Sequence, residues 1–206
     1  YIIENNEQSP FAPESIRNIK KINGNVILKN SNSIKTLRGI QKIAGNLNME
    51  NCPYLTNIKD VLSVGGDLTI KDCPDFNNFG DLEFIGGSLY EQGIDTNTSL
   101  GSLLSVCGNI FSESISDTGN LKYLGGDLNM KNISSLGQLY SIKGSLNIYT
   151  KLNDFGELEN CGCISFKDNQ DINPPKNLTN VKFYINYNTP QQKEALKDVK
   201  IWQFNQ

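Results

Sequence analysis

Apolar and polar positions along the chain fall into a phrase that keeps returning. It reads Ile22-Asn-Gly24-Asn-Val26-Ile-Leu28, Ile43-Ala-Gly45-Asn-Leu47-Asn-Met49, Val64-Gly-Gly66-Asp-Leu68-Thr-Ile70 and Ile85-Gly-Gly87-Ser-Leu89. It continues through Val106-Cys-Gly108-Asn-Ile110, Leu124-Gly-Gly126-Asp-Leu128-Asn-Met130, Ile142-Lys-Gly144-Ser-Leu146-Asn-Ile148 and Cys161-Gly162-Cys-Ile164-Ser-Phe166. The marker glycines at 24, 45, 66, 87, 108, 126, 144 and 162 are spaced by 21 residues four times and then by 18 three times. A degenerate ninth copy, Val181-Lys-Phe-Tyr-Ile185, follows. Self-similarity at a fixed period marks a repeat architecture.

After each glycine, apolar and polar residues alternate, the period of a strand with one buried face. The rest of each longer repeat is apolar at every third position: Ile34, Leu37, Ile40, Ile43, then Leu55, Ile58, Val61, Val64, then Phe76, Phe79, Leu82, Ile85. A period of three fits tight 3₁₀-like turns or extended corners better than an α-helix. The 18-residue repeats drop one triplet and keep Leu121/Leu124, Leu139/Ile142 and Leu158/Cys161, which preserves the inward register. The glycine supplies a tight corner where a Cβ would clash or φ must be positive.

Strands joined by such short returns lie parallel and stack at ~4.8 Å, so about nine coils give a rod or shallow arc roughly 43 Å long. The expected fold is mainly β, a right-handed parallel β-solenoid with a short C-terminal helical cap. It forms a single repeat domain over 1–206, with an N-terminal cap at 1–22, repeats at 23–188 and a C-terminal cap at 189–206. Thr189-Pro190-Gln191-Gln192 reads as a capping box opening a helix through about Val199. Ile201, Trp202 and Phe204 are expected to cover the last open coil, and Phe11, Ile16 and Ile19 the first.

Composition narrows the functions available. Lys and Arg total 19 against 22 Asp and Glu, a net charge of −3, and histidine is absent. The balance gives no drive toward nucleic acid or anionic membranes. The missing imidazole removes His-dependent catalysis and His metal ligation. No apolar run approaches the ~20 residues of a membrane span, so membrane insertion is not expected. A start at Tyr1 leaves room for a preceding leader segment.

Leu47-Asn-Met49-Glu-Asn-Cys52 and Leu68-Thr-Ile70-Lys-Asp-Cys73 resemble the L-x-L-x-x-N/C element of leucine-rich repeats. The full phrase, with its later Asn-Cys-Pro-x-Leu and Gly-Gly-Asp-Leu, is similar to the receptor L-domain type, found in growth-factor-receptor ectodomains and in bacterial and phage repeat proteins. The resemblance covers about residues 16–188. It implies a solenoid used for binding, with no catalytic residues or cofactor to carry over. Abundant Asn, Lys and Ile suit an AT-rich bacterial, phage or protist genome.

Candidate chemistry is sparse. Cys52 and Cys73 occupy equivalent positions one repeat apart and are expected as a stacked, reduced pair in a buried ladder. Strand alternation points Cys161 and Cys163 to opposite faces with no third ligand nearby, so no metal is expected. Asn25, Asn46 and Asn109, with Asp67 and Asp127, follow the marker glycine and should form hydrogen-bonded ladders. Asp67 and Asp127 sit three coils apart, a poor match to paired-carboxylate glycoside cleavage. The triplets at Asn97, Asn132 and Asn177 are no more than this composition produces by chance.

The middle outward position of each strand discriminates better: Ile27, Asn48, Thr69, Tyr90, Phe111, Asn129, Asn147, Ser165. Two aromatics sit in adjacent coils of a mostly polar column, with Glu91 and Glu113 flanking them. Beneath them the inward column changes to Glu91 and Ser112. Two readings follow: a local register flip that tucks a ring inside and exposes Glu91, or an aromatic contact patch at Tyr90, Phe111, Glu91 and Glu113. The outermost column, Lys29, Glu50, Lys71, Gln92, Glu113, Lys131, reads as charge-compensated surface. The expected function is a non-catalytic protein-interaction module, plausible at a cell surface or in phage–host contact. The alternatives are a carbohydrate-binding or polysaccharide-cleaving β-helix, and a structural virion or surface-layer component.

Overall fold

The computed structural model describes residues 19–95, 98–169, 171–173 and 175–202, together with the backbone of Ile2–Glu4. Each of the first six marker phrases forms two strands meeting at a corner. The residues before the glycine form β2 (Lys21–Ile22), β4 (Lys42–Ile43), β6 (Ser63–Val64), β8 (Phe84–Ile85), β10 (Ser105–Val106) and β12 (Tyr123–Leu124). The alternating residues after it form β3 (Val26–Lys29), β5 (Leu47–Glu50), β7 (Leu68–Lys71), β9 (Leu89–Gln92), β11 (Ile110–Ser112) and β13 (Leu128–Met130). In the last three phrases one strand runs through the corner: β14 (Ser141–Ile148), β15 (Asn160–Phe166) and β16 (Asn180–Asn186). β1 (Ile2–Glu4) pairs with β3 ahead of the first full repeat.

Neighbouring strands pair in parallel, and Leu47, Leu68, Leu89, Ile110, Leu128, Leu146 and Ile164 stand opposite one another in one fully buried column. The period-three residues from Ile34 to Ile85 line the remaining walls of the same core. The fold is a mainly-β, right-handed parallel solenoid of about eight turns. Nine coils were expected because the sequence shows nine strand phrases; the nine long strands from β3 to β16 are separated by eight turns.

The marker glycine and the polar residue after it are one device. Backbone N–H groups of Asn46, Asp67, Ser88, Asn109, Asp127 and Ser145 each donate to the side-chain oxygen of the equivalent residue one coil earlier, at 2.7–2.9 Å. A Cβ on Gly66 would overlap the Asn46 Oδ1 that makes this bond. Close approach therefore demands the glycine there, while the opposite corner takes Gly80 for its φ of +65°.

At the C-terminus the capping box forms as read: Thr189 Oγ1 accepts from Gln192 N, and the Gln192 side chain accepts from the Thr189 backbone. Helix α1 (Pro190–Ala195) is shorter than expected and passes into a turn before Val199. Leu196 is buried, and Ala195, Val199 and Tyr187 pack beside it against the last coil. That leaves no core space for the residues expected to cover this end. Ile201 and Trp202 are 42% and 60% exposed. Ile201 belongs to β17 (Lys200–Ile201), which extends the short-strand column beside β16, and the Trp202 indole donates to Asn180 Oδ1 at 2.7 Å. Phe204, Phe11 and Ile16 lie outside the described residues, and Ile19 packs against the core.

Candidate functional site

Tyr90 and Phe111 are the second residues of β9 and β11, directly opposite each other in the ladder. The register runs unbroken from β7 through β9 and β11 to β13, so the flip that would hide a ring does not occur. The rings stand 39% and 37% exposed. They stack with centroids 5.2 Å apart and planes 7° apart. Thr69 and Asn129 flank the stack in the neighbouring coils. Both are shorter than the rings they flank. Around the stack lies a depression of about 380 Å³.

The outermost column supplies the rim. Lys29 pairs with Glu50 at 2.9 Å, and Lys71 stands 4.0 Å from the same carboxylate. The Lys29 side chain holds the Glu50 carboxyl below its usual range. Glu113 pairs with Lys131 and pushes its ammonium up. One coil further the column places Tyr149, which also lines the depression and was not among the residues singled out from the sequence. Its signal was available: it is the next position in the outer column, 18 residues after Lys131.

Glu91 does not belong to this surface. Its side chain occupies the inward position between Ile70 and Ser112 and is only 3% exposed. Oε2 accepts from Ser112 Oγ at 2.6 Å, from Glu113 N at 3.1 Å and from Ser114 N at 3.0 Å. In earlier coils the residue one past the outer column donates forward, as Asn51 N does to Lys71 O and Asp72 N to Gln92 O. Ser114, the equivalent residue in coil five, instead donates back to Glu91. The Glu113 and Ser114 amides face coil four, where the carboxylate takes them. Of the four residues expected to form a patch, Tyr90, Phe111 and Glu113 share the outward face and Glu91 lies beneath it.

The remaining chemical candidates are absorbed by the fold. Asp67 and Asp127 are ladder acceptors for Ser88 N and Ser145 N. All five cysteines are free thiols, with Cys52 and Cys73 fully buried and Cys107 exposed. Burial, together with the Cys52 side chain as the larger cause, pushes the Cys73 thiol up. Cys163 does not face solvent as alternation suggested: the corner between Cys161 and Ile164 is one residue shorter than that between Ile142 and Leu146. The register shifts there and both thiols are buried. Among the described residues no group of three or more potential ligands is placed to hold a metal ion. Asn132 and Asn177 donate to the carbonyls of Glu113 and Gly156, and Asn97 lies outside the described residues.

A second exposed apolar strip escaped the sequence reading. Phe84 and Tyr123 flank Ser105 on the outward side of the short-strand column, with Leu104 and Tyr140 beside them. Tyr123 and Tyr140 meet edge to face at 6.2 Å. Among the described residues no helix is long and apolar enough to cross a membrane. No protein-family model, curated protein or solved structure matches the chain.

Proposed function

We propose that this protein is a non-catalytic recognition module that binds its partner on the long-strand face, centred on Tyr90 and Phe111. The observation that carries this reading is the exposed ring stack. Two large apolar side chains are held parallel in solvent by strands paired on both sides, with no disorder to pay on binding. Binding surfaces concentrate their energy in such aromatic anchors. A solenoid of the leucine-rich-repeat, receptor L-domain-like kind is in keeping with this role, supported by the Leu-x-Met/Ile strands and the Asn/Asp-Cys pairs that follow them, whose thiols are buried.

The sequence favoured a protein as the partner and a glycan second; both use a rigid face of this kind. The test is capture from native host lysate by the immobilised protein, compared with Tyr90→Ala/Phe111→Ala. The double variant should lose about 2 kcal/mol or more of partner affinity while melting within a few degrees of the parent. A variant that melts early yet captures normally when folded would place the rings in a structural role and the site elsewhere.

A further inference from the structure

Resting on that reading of the face, we infer that its ligand is an anionic oligosaccharide. Because Tyr90 and Phe111 close against each other, their other faces turn along the stack toward the shorter Thr69 on one side and Asn129 on the other. The apolar C–H face of a pyranose packs on such a surface, and its rim of hydroxyls then needs hydrogen-bonding partners. Residues that carry such groups line the depression: Thr69, Gln92 and Tyr149. Asn129 uses its carbonyl oxygen to accept from Asn147 Nδ2 at 2.8 Å, which turns its own amide group to other partners.

Around the two rings the lining carries hydroxyl, amide and charged side chains, among them Thr69, Lys71, Gln92, Glu113 and Asn129. A volume of about 380 Å³ is that of a small-ligand cleft.

Charge selects within the sugars. Glu50 is committed to Lys29 at 2.9 Å and stands 4.0 Å from Lys71, so the Lys71 ammonium is only loosely compensated. It lies beside Thr69, at the Tyr90 end of the depression. Lys131, three coils away, is paired with Glu113, so of the two lining cations Lys71 is the one with charge to offer a ligand. A sugar stacked on Tyr90 with a carboxylate or sulfate toward Lys71 meets both features.

A microarray of neutral, carboxylated and sulfated oligosaccharides tests this, probed with the parent, Tyr90→Ala/Phe111→Ala and Lys71→Gln. The parent should bind anionic probes, and more weakly as salt is raised. The double variant should lose at least about tenfold in signal. Lys71→Gln should weaken acidic probes while sparing any neutral analogue. Absence of binding across the array overturns the inference, as does binding of neutral sugars alone that ignores Lys71→Gln. Treating the host lysate with periodate or with protease before capture separates this inference from the reading beneath it. Ring-dependent capture that survives periodate and is lost to protease overturns the glycan and leaves the face. Capture that ignores the double variant overturns the face itself.

Discussion

Glu91 shows how one side chain repairs a break in a repeat. Its position was legible, because the alternation that places Leu28, Met49 and Ile70 inward places residue 91 inward too. Its role was not, because the amides it serves belong to the following coil. Removing the acceptor strands two backbone N–H groups and a hydroxyl in the interior, at about 1–3 kcal/mol for each unsatisfied group. Glu91→Ala should therefore lower stability by about 3 kcal/mol or more, and Glu91→Gln, which keeps an acceptor oxygen, by clearly less. Urea unfolding of the two variants measures the difference, and equal losses would mean that the carboxylate fills space rather than bonds. The thiols give a second residue-scale prediction. Burial pushes the Cys161 thiol up to about 12, far above a labelling pH of about 8, and reactivity follows the thiolate. Cys73 lowers the Cys52 thiol to about 7, so burial alone holds Cys52 back. Native protein should alkylate at exposed Cys107 and hold Cys52, Cys73, Cys161 and Cys163 back; unfolded, unreduced protein should alkylate at all five. Mass spectrometry reads both, and a pair that stays unmodified after unfolding would mean a bonded pair.

At the scale of the element, strands were easier to read than corners. A strand repeats every two residues and shows its buried face in the sequence, so the column from Leu47 to Ile164 could be named before any coordinates. A corner has no such period. One residue fewer between Cys161 and Ile164 was enough to shift the pairing and bury Cys163. The cap failed for a related reason. Trp202 and Phe204 alternate with polar Gln203 and Asn205 as in a strand, and Lys200–Ile201 is one, but alternation does not say which side already has its core filled. Leu196 had filled it. Tyr149 was missed because its column was followed only as far as Lys131, and the Phe84–Tyr140 strip because the outward side of the short strands was not followed at all. The element-scale prediction follows from the column. Leu68 has stacked neighbours in both adjacent coils and no exposed surface, so its cavity cannot collapse by shifting one free end. Leu68→Ala should cost ~2–5 kcal/mol, measured by denaturant unfolding, and a loss below about 1 kcal/mol would contradict the inward assignment.

For the molecule as a whole, each coil contacts only the coils before and after it, so stability is close to a sum of coil terms and nearest-neighbour interfaces. Interior coils have two such interfaces and terminal coils one. The two ends also differ. The last coil is backed by the short helix α1 and by a two-residue strand, and it leaves Phe183, Tyr184, Ile201 and Trp202 exposed. The coils that carry the ring stack, by contrast, are paired on both sides and hold fully buried Leu89 and Ile110 beneath it. Opening near the stack must break two interfaces, while opening at β16 and β17 breaks little more than one. Amide exchange should therefore be slowest across β7, β9, β11 and β13 and fastest in β16 and β17, with protection graded between them. Native-state exchange measured strand by strand reads this directly. Uniform protection from β3 to β17 would show a single cooperative unit in place of coupled coils. Fast exchange at β9 and β11 would remove the premise of the binding site, because two rings held parallel in water keep their stack only if the strands beneath them stay closed.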